Sequence, residues 1–288
     1  MEFLRSFFRL LFTAIKFPFI ALLFFYESQK SNYKKSSERM EVFRILCGLY
    51  LKLKIQPHAK IASYKIFGYT VFASKYEDHI YLFREIFLSK IYLFKTTLKN
   101  PVFIDCGANI GFVVLYFNML FPNSKIIAFE PNPYLFGLLK KNVTENNLKN
   151  VEIHNKALSN EKGNISFFFG NNYYTGSIRS DRGNACGDIK EIKVESTLLS
   201  DYFISEKPNI IKMDVEGAEI EILQNLVETK TVEIPDQYII EYHHKINNER
   251  VPFSKFLLPF EAKGYDYNLR ADYININTFQ DILIHFYK

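Results

Sequence analysis

Val102-Phe103-Ile104-Asp105-Cys106-Gly107-Ala108-Asn109-Ile110-Gly111 decides how this chain folds. A short apolar run ends in an acidic residue, turns through Gly-x-x-x-Gly, and enters a second apolar run, Phe112 to Leu120, of helical length. Gly107 and Gly111 are free of a Cβ and can take backbone conformations closed to other residues. A helix that starts after such a turn points its first N–H groups at whatever sits there. Asp105 adds negative charge, which suits a cationic or amino-bearing ligand better than a pyrophosphate. The spacing is neither the G-x-G-x-x-G of nicotinamide-binding folds nor a phosphate loop.

The next strand extends this reading. Lys125-Ile126-Ile127-Ala128-Phe129 ends in Glu130, followed by Pro131-Asn132-Pro133. An acidic residue about twenty positions after the glycine turn is where a doubly wound fold holds ribose hydroxyls. The two prolines stiffen the loop and let a helix begin near Tyr134. Together the two segments point to a nucleoside-type cofactor, and S-adenosylmethionine supplies both the amine and the positive sulfonium.

From residue 100 onward strands and helices alternate, the pattern of an α/β fold with a mostly parallel sheet. Strands are expected near 102–106, 126–130, 151–155, 209–214 and 237–242, and helices near 111–120, 134–147, 217–228 and 252–263. An insertion carries strands at 165–169 and 189–195, joined by the polar stretch Gly170 to Gly187. Tyr265 to Tyr287 supplies a final antiparallel pair.

The first 90 residues are organised differently. Glu2, Arg5, Ser6, Arg9, Thr13 and Lys16 fall in one arc of roughly 100° on a helical wheel, with apolar residues around it. Phe17 to Tyr26 has no polar face. A basic amphipathic helix running into an apolar stretch suits a membrane interface, although the uninterrupted run is too short to span a bilayer. The alternative is a helix packed on the protein itself or paired with the next segment. Ser28 to Arg39 is expected as a linker, Met40 to Leu53 and Asp78 to Ser89 as helices, and 61–67 with 69–73 as a hairpin around Gly68. The resulting division is an N-terminal segment at 1–27, a helical and β-hairpin cap at 28–90, and a cofactor-binding domain at 91–288.

At 288 residues and 48% hydrophobic, the chain can bury a substantial core. The net charge of +5 is a mild excess, and no basic run interleaves with aromatics in the core region, so no nucleic-acid partner is expected. Cys47, Cys106 and Cys186 are widely spaced without C-x-x-C, which points to reduced thiols in the cytoplasm and away from zinc.

Three runs, Phe103 to Phe112 (FIDCGANIGF), Ala128 to Pro133 (AFEPNP) and Lys212 to Glu219 (KMDVEGAE), resemble the FkbM family of S-adenosylmethionine-dependent methyltransferases. Weaker likenesses are Asn155 to Ser159, Ser196 to Tyr202 and Glu241 to His243, and the resemblance covers roughly residues 60–285. It implies a Rossmann-like class I methyltransferase fold, with a seven-stranded mostly parallel sheet, one antiparallel strand and helices on both faces. Here an N-terminal helical extension is added. It also implies methylation mostly of hydroxyl oxygens. Asp105, Gly107, Ala108, Asn109 and Gly111 would surround the methionine part of S-adenosylmethionine. Glu130 would hold the ribose, with Asn132 beside it. Asn155 and Ala157 would lie near the adenine, and Asp214 would close the site.

Methyl transfer to oxygen is an in-line attack that needs positioning and a base. Candidate bases stand at the carboxyl ends of strands: Asp214 and Glu216 after the fourth, and Glu241, His243 and His244 on the fifth. His243 is attractive because its ordinary pKa is near neutral. Strand alternation puts Glu241 on the same face, where it could orient the ring. Glu216 has a rival role as a helix-start acid. The expected catalytic set is therefore His243, Glu241 and Glu216. No metal is assigned, although Asp214, Glu241 and the histidines offer a divalent-ion alternative.

The insertion residues Asn171, Asn172, Tyr173, Tyr174, Thr175, Ser177, Arg179, Ser180 and Asp181 have the amides, hydroxyls and tyrosine faces of sugar recognition. The leading expectation is O-methylation of a sugar in a polysaccharide, glycolipid or glycan precursor, on the cytoplasmic membrane face with peripheral contact through residues 1–26. Alternatives are a secondary metabolite, or RNA or protein. The absence of an Asn-Pro-Pro-Tyr-like sequence after the fourth strand disfavours base N-methylation. The intact acidic and glycine positions argue against a vestigial scaffold.

Overall fold

The computed structural model describes residues 2–170, 176–179, 189–244, 252–271 and 280–288, with the backbone alone for 2–10, 12 and 280. The chain divides into two compact units, Met1–Phe94 with Thr144–Asn146, and Lys95–Val143 with Asn147–Lys288.

In the first unit, helix α1 (Glu2–Lys30) precedes α2 (Ser36–Ile55). Phe17 and Phe24 of α1 contact the ring of Tyr50, and Phe25 meets Phe43 edge-on. The helix-pair alternative is thus realised. It turns Thr13 of the predicted polar arc inward and leaves Leu11, Ile15, Phe19, Leu22, Leu23 and Tyr26 exposed. The predicted linker shrinks to residues 31–35. Glu27, near the end of α1, is held by Arg84 at 2.8 and 2.9 Å. Strands β1 (Ala62–Ile66) and β2 (Tyr69–Ala73) form the expected antiparallel hairpin. Its two turn residues, Phe67 and Gly68, have positive φ, as a two-residue turn matched to strand twist requires. The helix expected at 78–89 is α3 (Tyr76–Leu82) continued by a π-helical turn at Phe83–Leu88, where Phe83 and Phe87 stack on Phe67.

The second unit continues with β3 (Phe103–Cys106), α4 (Phe112–Leu120), β4 (Ile126–Phe129), α5 (Pro133–Glu145) and β5 (Val151–His154). Then come β6 (Ala157–Ser159), β7 (Gly163–Phe169), β8 (Gly176–Ser177), β9 (Lys190–Leu198) and α6 (Leu199–Glu206). The chain ends with β10 (Ile210–Met213), α7 (Glu219–Glu228), β11 (Gln237–His244), α8 (Phe253–Glu261), β12 (Asp266–Ala271) and β13 (Gln280–Tyr287). Seven strands pair in the order β12-β13-β11-β10-β3-β4-β5. β13 runs antiparallel to both neighbours, and the other pairings are parallel. This is the expected class I methyltransferase sheet.

The strands that bear the site are short and buried throughout, and their side chains alternate between faces. Ile104, Cys106, Ile127, Phe129, Ile211 and Met213 pack with Phe203 of α6, Ile222 and Leu226 of α7 and Phe260 of α8. Phe103 points the other way and stacks on Phe117 of α4 at 4.5 Å, so helices cover both faces. The insertion builds its own sheet, β6-β9-β7-β8. β6 and β8 are too short to show a period in the sequence. Asn171, Asn172, Tyr173, Tyr174, Thr175, Ser180, Asp181 and Cys186 lie outside the described residues, and Cys47 and Cys106 are unbridged.

Candidate active site

β3, β4, β10 and β11 all deliver their carboxyl ends to one sheet edge, where parallel α/β folds bind ligands. There a cleft of about 590 Å³, counting solvent at its open mouth, is lined by Gly107, Asn109, Phe129, Glu130, Ala157, Leu158, Phe167, Ile178, Asp214 and Glu216 among others. Its walls combine an apolar slot with three carboxylates.

Gly107 (φ 83°), Asn109 (φ 51°) and Gly111 (φ 89°) form the turn after β3. A Cβ on Gly107 would stand 1.8 Å from the backbone oxygen of Asp214, so only glycine lets the β3 and β10 ends meet. Gly111 faces Leu139 of α5 and does not line the cleft. Ala108 is buried, and its N–H donates to Phe129 O.

Glu130 is buried on the cleft wall. Its two oxygens accept the N–H groups of Asn109 and Asn132, each at 2.8 Å, which aims the carboxylate. Burial pushes its pKa up to about 7 against the pull of those two donors. Asn132 spends its side chain on Tyr134 N–H, and Asn155 donates to the carbonyls of Glu130 and Pro131. Both shape the loop from behind, whereas Ala157 lines the cleft.

Asp105 departs from its expected place. It is fully buried and paired with Lys212 at 3.3 Å, and is not a cleft wall. Lys212 is 2% exposed, lies 3.6 Å from Asp214, and donates to Gly107 O at 2.7 Å. Burial disfavours its charge, but Asp105 and Asp214 outweigh this and hold its pKa above the usual lysine range. Asp105 therefore acts through Lys212, which ties the glycine turn to the Asp214 strand end. The sequence reading missed Lys212. Its signal is a lysine two residues before Asp214 in an otherwise apolar strand, a position that demands a buried partner.

His243 is buried next to Asp214 and Glu216 of the cleft wall. Its Nδ1 is 2.7 Å from Glu219 Oε1, so Glu219, not Glu241, orients the ring. Glu219 also accepts Gly217 N–H and opens α7. Glu216 precedes that helix on a left-handed backbone (φ 54°) and is not part of its first turn. The carboxylates of Glu216, Asp281 and Asp214 stand 3.4, 3.7 and 3.8 Å from His243 Nε2. Burial opposes a charged imidazole, but Glu219, Glu216 and Asp214 override it and push the pKa up to about 10. The pKa thus lies above the near-neutral value expected of a free base. Glu241 joins the cluster beside His243 and Asp281. His244 faces Tyr242 and Phe253, away from it.

Two insertion residues expected at the substrate brace this site. The Ser177 hydroxyl donates to Glu216 O at 2.6 Å. Arg179 donates to Gly217 O and Glu221 and so clamps the turn that presents Glu216.

A sequence profile for the methyltransferase FkbM domain matches residues 105–267, which span the cleft and its acidic cluster. The chain belongs to the FkbM methyltransferase family. Methyltransferase 1 of Beauveria bassiana is 28% identical over 205 residues, 64% of this chain and 80% of its own length. The hexuronic acid methyltransferase AglP of Haloferax volcanii is 29% identical over 65% of this chain and 70% of its own. The 2-O-methyltransferase NoeI of Sinorhizobium fredii is 28% identical over 46% and 60%.

As an FkbM methyltransferase the chain uses S-adenosylmethionine, which when bound supplies an electrophilic methyl group. The residues present fit it. The aimed, buried carboxylate of Glu130 suits ribose hydroxyls, Phe129, Ala157 and Leu158 offer an apolar slot for the adenine, and Asp214 offers negative charge to the amino and sulfonium end.

Proposed function

We propose that this FkbM methyltransferase methylates a sugar hydroxyl of a polysaccharide, glycolipid or glycan precursor. The observation that carries the proposal is the convergence of Asp214, Glu216 and Asp281 on His243, beside a cleft whose wall includes Asp214 and Glu216. Such a cluster can draw the proton from an alcohol while Glu130 and the apolar slot position the donor. The likeness to a hexuronic acid methyltransferase supports a sugar acceptor, and the likeness to a 2-O-methyltransferase supports transfer to oxygen. The test is calorimetry with S-adenosylhomocysteine, followed by labelled methyl transfer to glycans and glycolipid extracts. Binding with transfer to a glycan hydroxyl is expected. Transfer only to non-glycan small molecules, RNA or protein would overturn the sugar reading.

We also propose peripheral contact with the cytoplasmic membrane face. Among the described residues no helix is long and apolar enough to cross a membrane. Support comes from the exposed row Leu11, Ile15, Phe19, Leu22 and Tyr26, at helical spacing on α1, with Lys16 and Lys30 nearby. The double substitution Phe19→Asp, Leu22→Asp is expected to lower flotation with anionic vesicles roughly tenfold or more, because two apolar side chains leave the lipid. S-adenosylhomocysteine affinity should be unchanged. Unaltered flotation would remove the membrane proposal.

A further inference from the structure

The geometry points to a divalent metal site formed by Asp214, Glu216 and His243, of the class filled by Mn²⁺, at the inner end of the cleft. Their ligand atoms lie within 4.8 Å of one another, and a second trio, Glu241, His243 and Asp281, shares the same imidazole. The spacing is that of a coordination shell. In an octahedral shell with ligands about 2.1 Å from the metal, adjacent donors are about 3.0 Å apart and opposite donors about 4.2 Å. The carboxylate oxygens of Glu216 and Asp214 are 3.4 and 3.8 Å from His243 Nε2, between those limits.

The histidine is built as a ligand. It is held rigidly, with its side chain and that of Glu219 each 1% exposed and Nδ1 2.7 Å from Glu219. A carboxylate behind the ring, turning the other nitrogen toward the metal, is the common outer-shell arrangement of metal-ligating histidines. Charge points the same way. Once a metal replaces the proton on His243 Nε2, the carboxylates of Asp105, Asp214, Glu216, Glu219, Glu241 and Asp281 far outnumber the nearby cation Lys212. A dication offsets that excess in a partly buried place where separated charge is costly. One imidazole with carboxylates and no thiolate suits Mn²⁺ and related ions. Asp214 and Glu216 line the cleft, so the remaining coordination positions face it, as catalytic metals require.

The metal's role rests on the O-methylation reading. A lone carboxylate is a weak base toward an alcohol, and a metal-bound hydroxyl is far more acidic. The O–H bond breaks, with its proton taken by a cluster carboxylate or water. The oxygen forms a bond to the donor's methyl carbon as that carbon's bond to sulfur breaks, leaving a neutral thioether.

The full chain, stripped with EDTA and then freed of it, is titrated with MnCl₂ while the electron paramagnetic resonance signal of free Mn²⁺ is followed. One tightly held ion per chain is expected. Glu216→Gln, isosteric and at a partly exposed position, should weaken binding roughly ten- to hundred-fold, whereas Asp281→Asn, in the second trio, should weaken it less. Circular dichroism and S-adenosylhomocysteine affinity report whether each variant keeps its fold. Glu191→Gln, in the separate β9 strand, should bind as the parent does. Absence of stoichiometric Mn²⁺ binding, or binding that Glu216→Gln leaves unaltered or weakens less than Asp281→Asn does, would overturn the site. Because S-adenosylhomocysteine affinity is measured separately, loss of the metal proposal and loss of the methyltransferase reading give different results.

Discussion

Lys212→Met is expected to destabilise the cofactor-binding unit by about 3–5 kcal/mol, the usual result of removing one partner of a buried ion pair. For a unit of this size the melting temperature should fall on the order of 10 °C. The cause is local. Lys212 is 2% exposed, and its ammonium neutralises Asp105 at 3.3 Å while bonding to Gly107 O at 2.7 Å. Without it a carboxylate stays buried with no cation, and the glycine turn loses its tie to β10. S-adenosylhomocysteine binding should weaken with the loss of stability. The double variant Lys212→Met, Asp105→Asn should recover much of the stability, since the stranded charge is gone. Thermal melts of the parent, the two single variants and the double variant measure the coupling. Additive effects would show that the pair does not act as a unit.

Gly107→Ala should be as damaging, through shape and not charge. The new Cβ would sit 1.8 Å from the Asp214 carbonyl oxygen, an atom of the backbone that no rotamer change can move. The residue also holds φ 83°, which costs an L side chain about 1–2 kcal/mol by itself. Forcing the β3 and β10 ends apart adds about 1–3 kcal/mol or more, and it displaces Asp214 from the cleft. Loss of S-adenosylhomocysteine affinity together with a large drop in melting temperature is therefore expected. Gly68→Ala is the matched control. It has the same kind of backbone (φ 89°) and nothing within 4 Å of its Cβ position, so only the conformational cost should appear. Equal effects at the two glycines would exclude the steric account.

Much of the fold was legible because its signals are local. The apolar runs ending in Asp105, Glu130 and Asp214, the glycine turn and the alternation of strand and helix announce a parallel sheet with its ligand edge at those carboxyl ends. Strand alternation also placed His243 and His244 on opposite faces, as the ring contacts of His244 with Tyr242 and Phe253 bear out. The insertion's β6 and β8, with three and two residues, are held by neighbouring strands and have no period of their own. The first helix likewise runs to Lys30, past the predicted start of the linker at Ser28, and its Glu27 meets Arg84, far along the chain.

What the sequence determined by itself was the class of fold and the place of the site, since turn chemistry, strand alternation and the order of acidic strand ends are properties of neighbouring residues. What only the tertiary structure decided was which charges meet. Asp105 faces Lys212 because β3 and β10 lie side by side in register, and His243 turns to Glu219 because α7 begins beside the end of β11. Those pairings set which residues touch the ligand and which hold others in place. They depend on distances through space between segments up to about a hundred residues apart, and no local pattern encodes them.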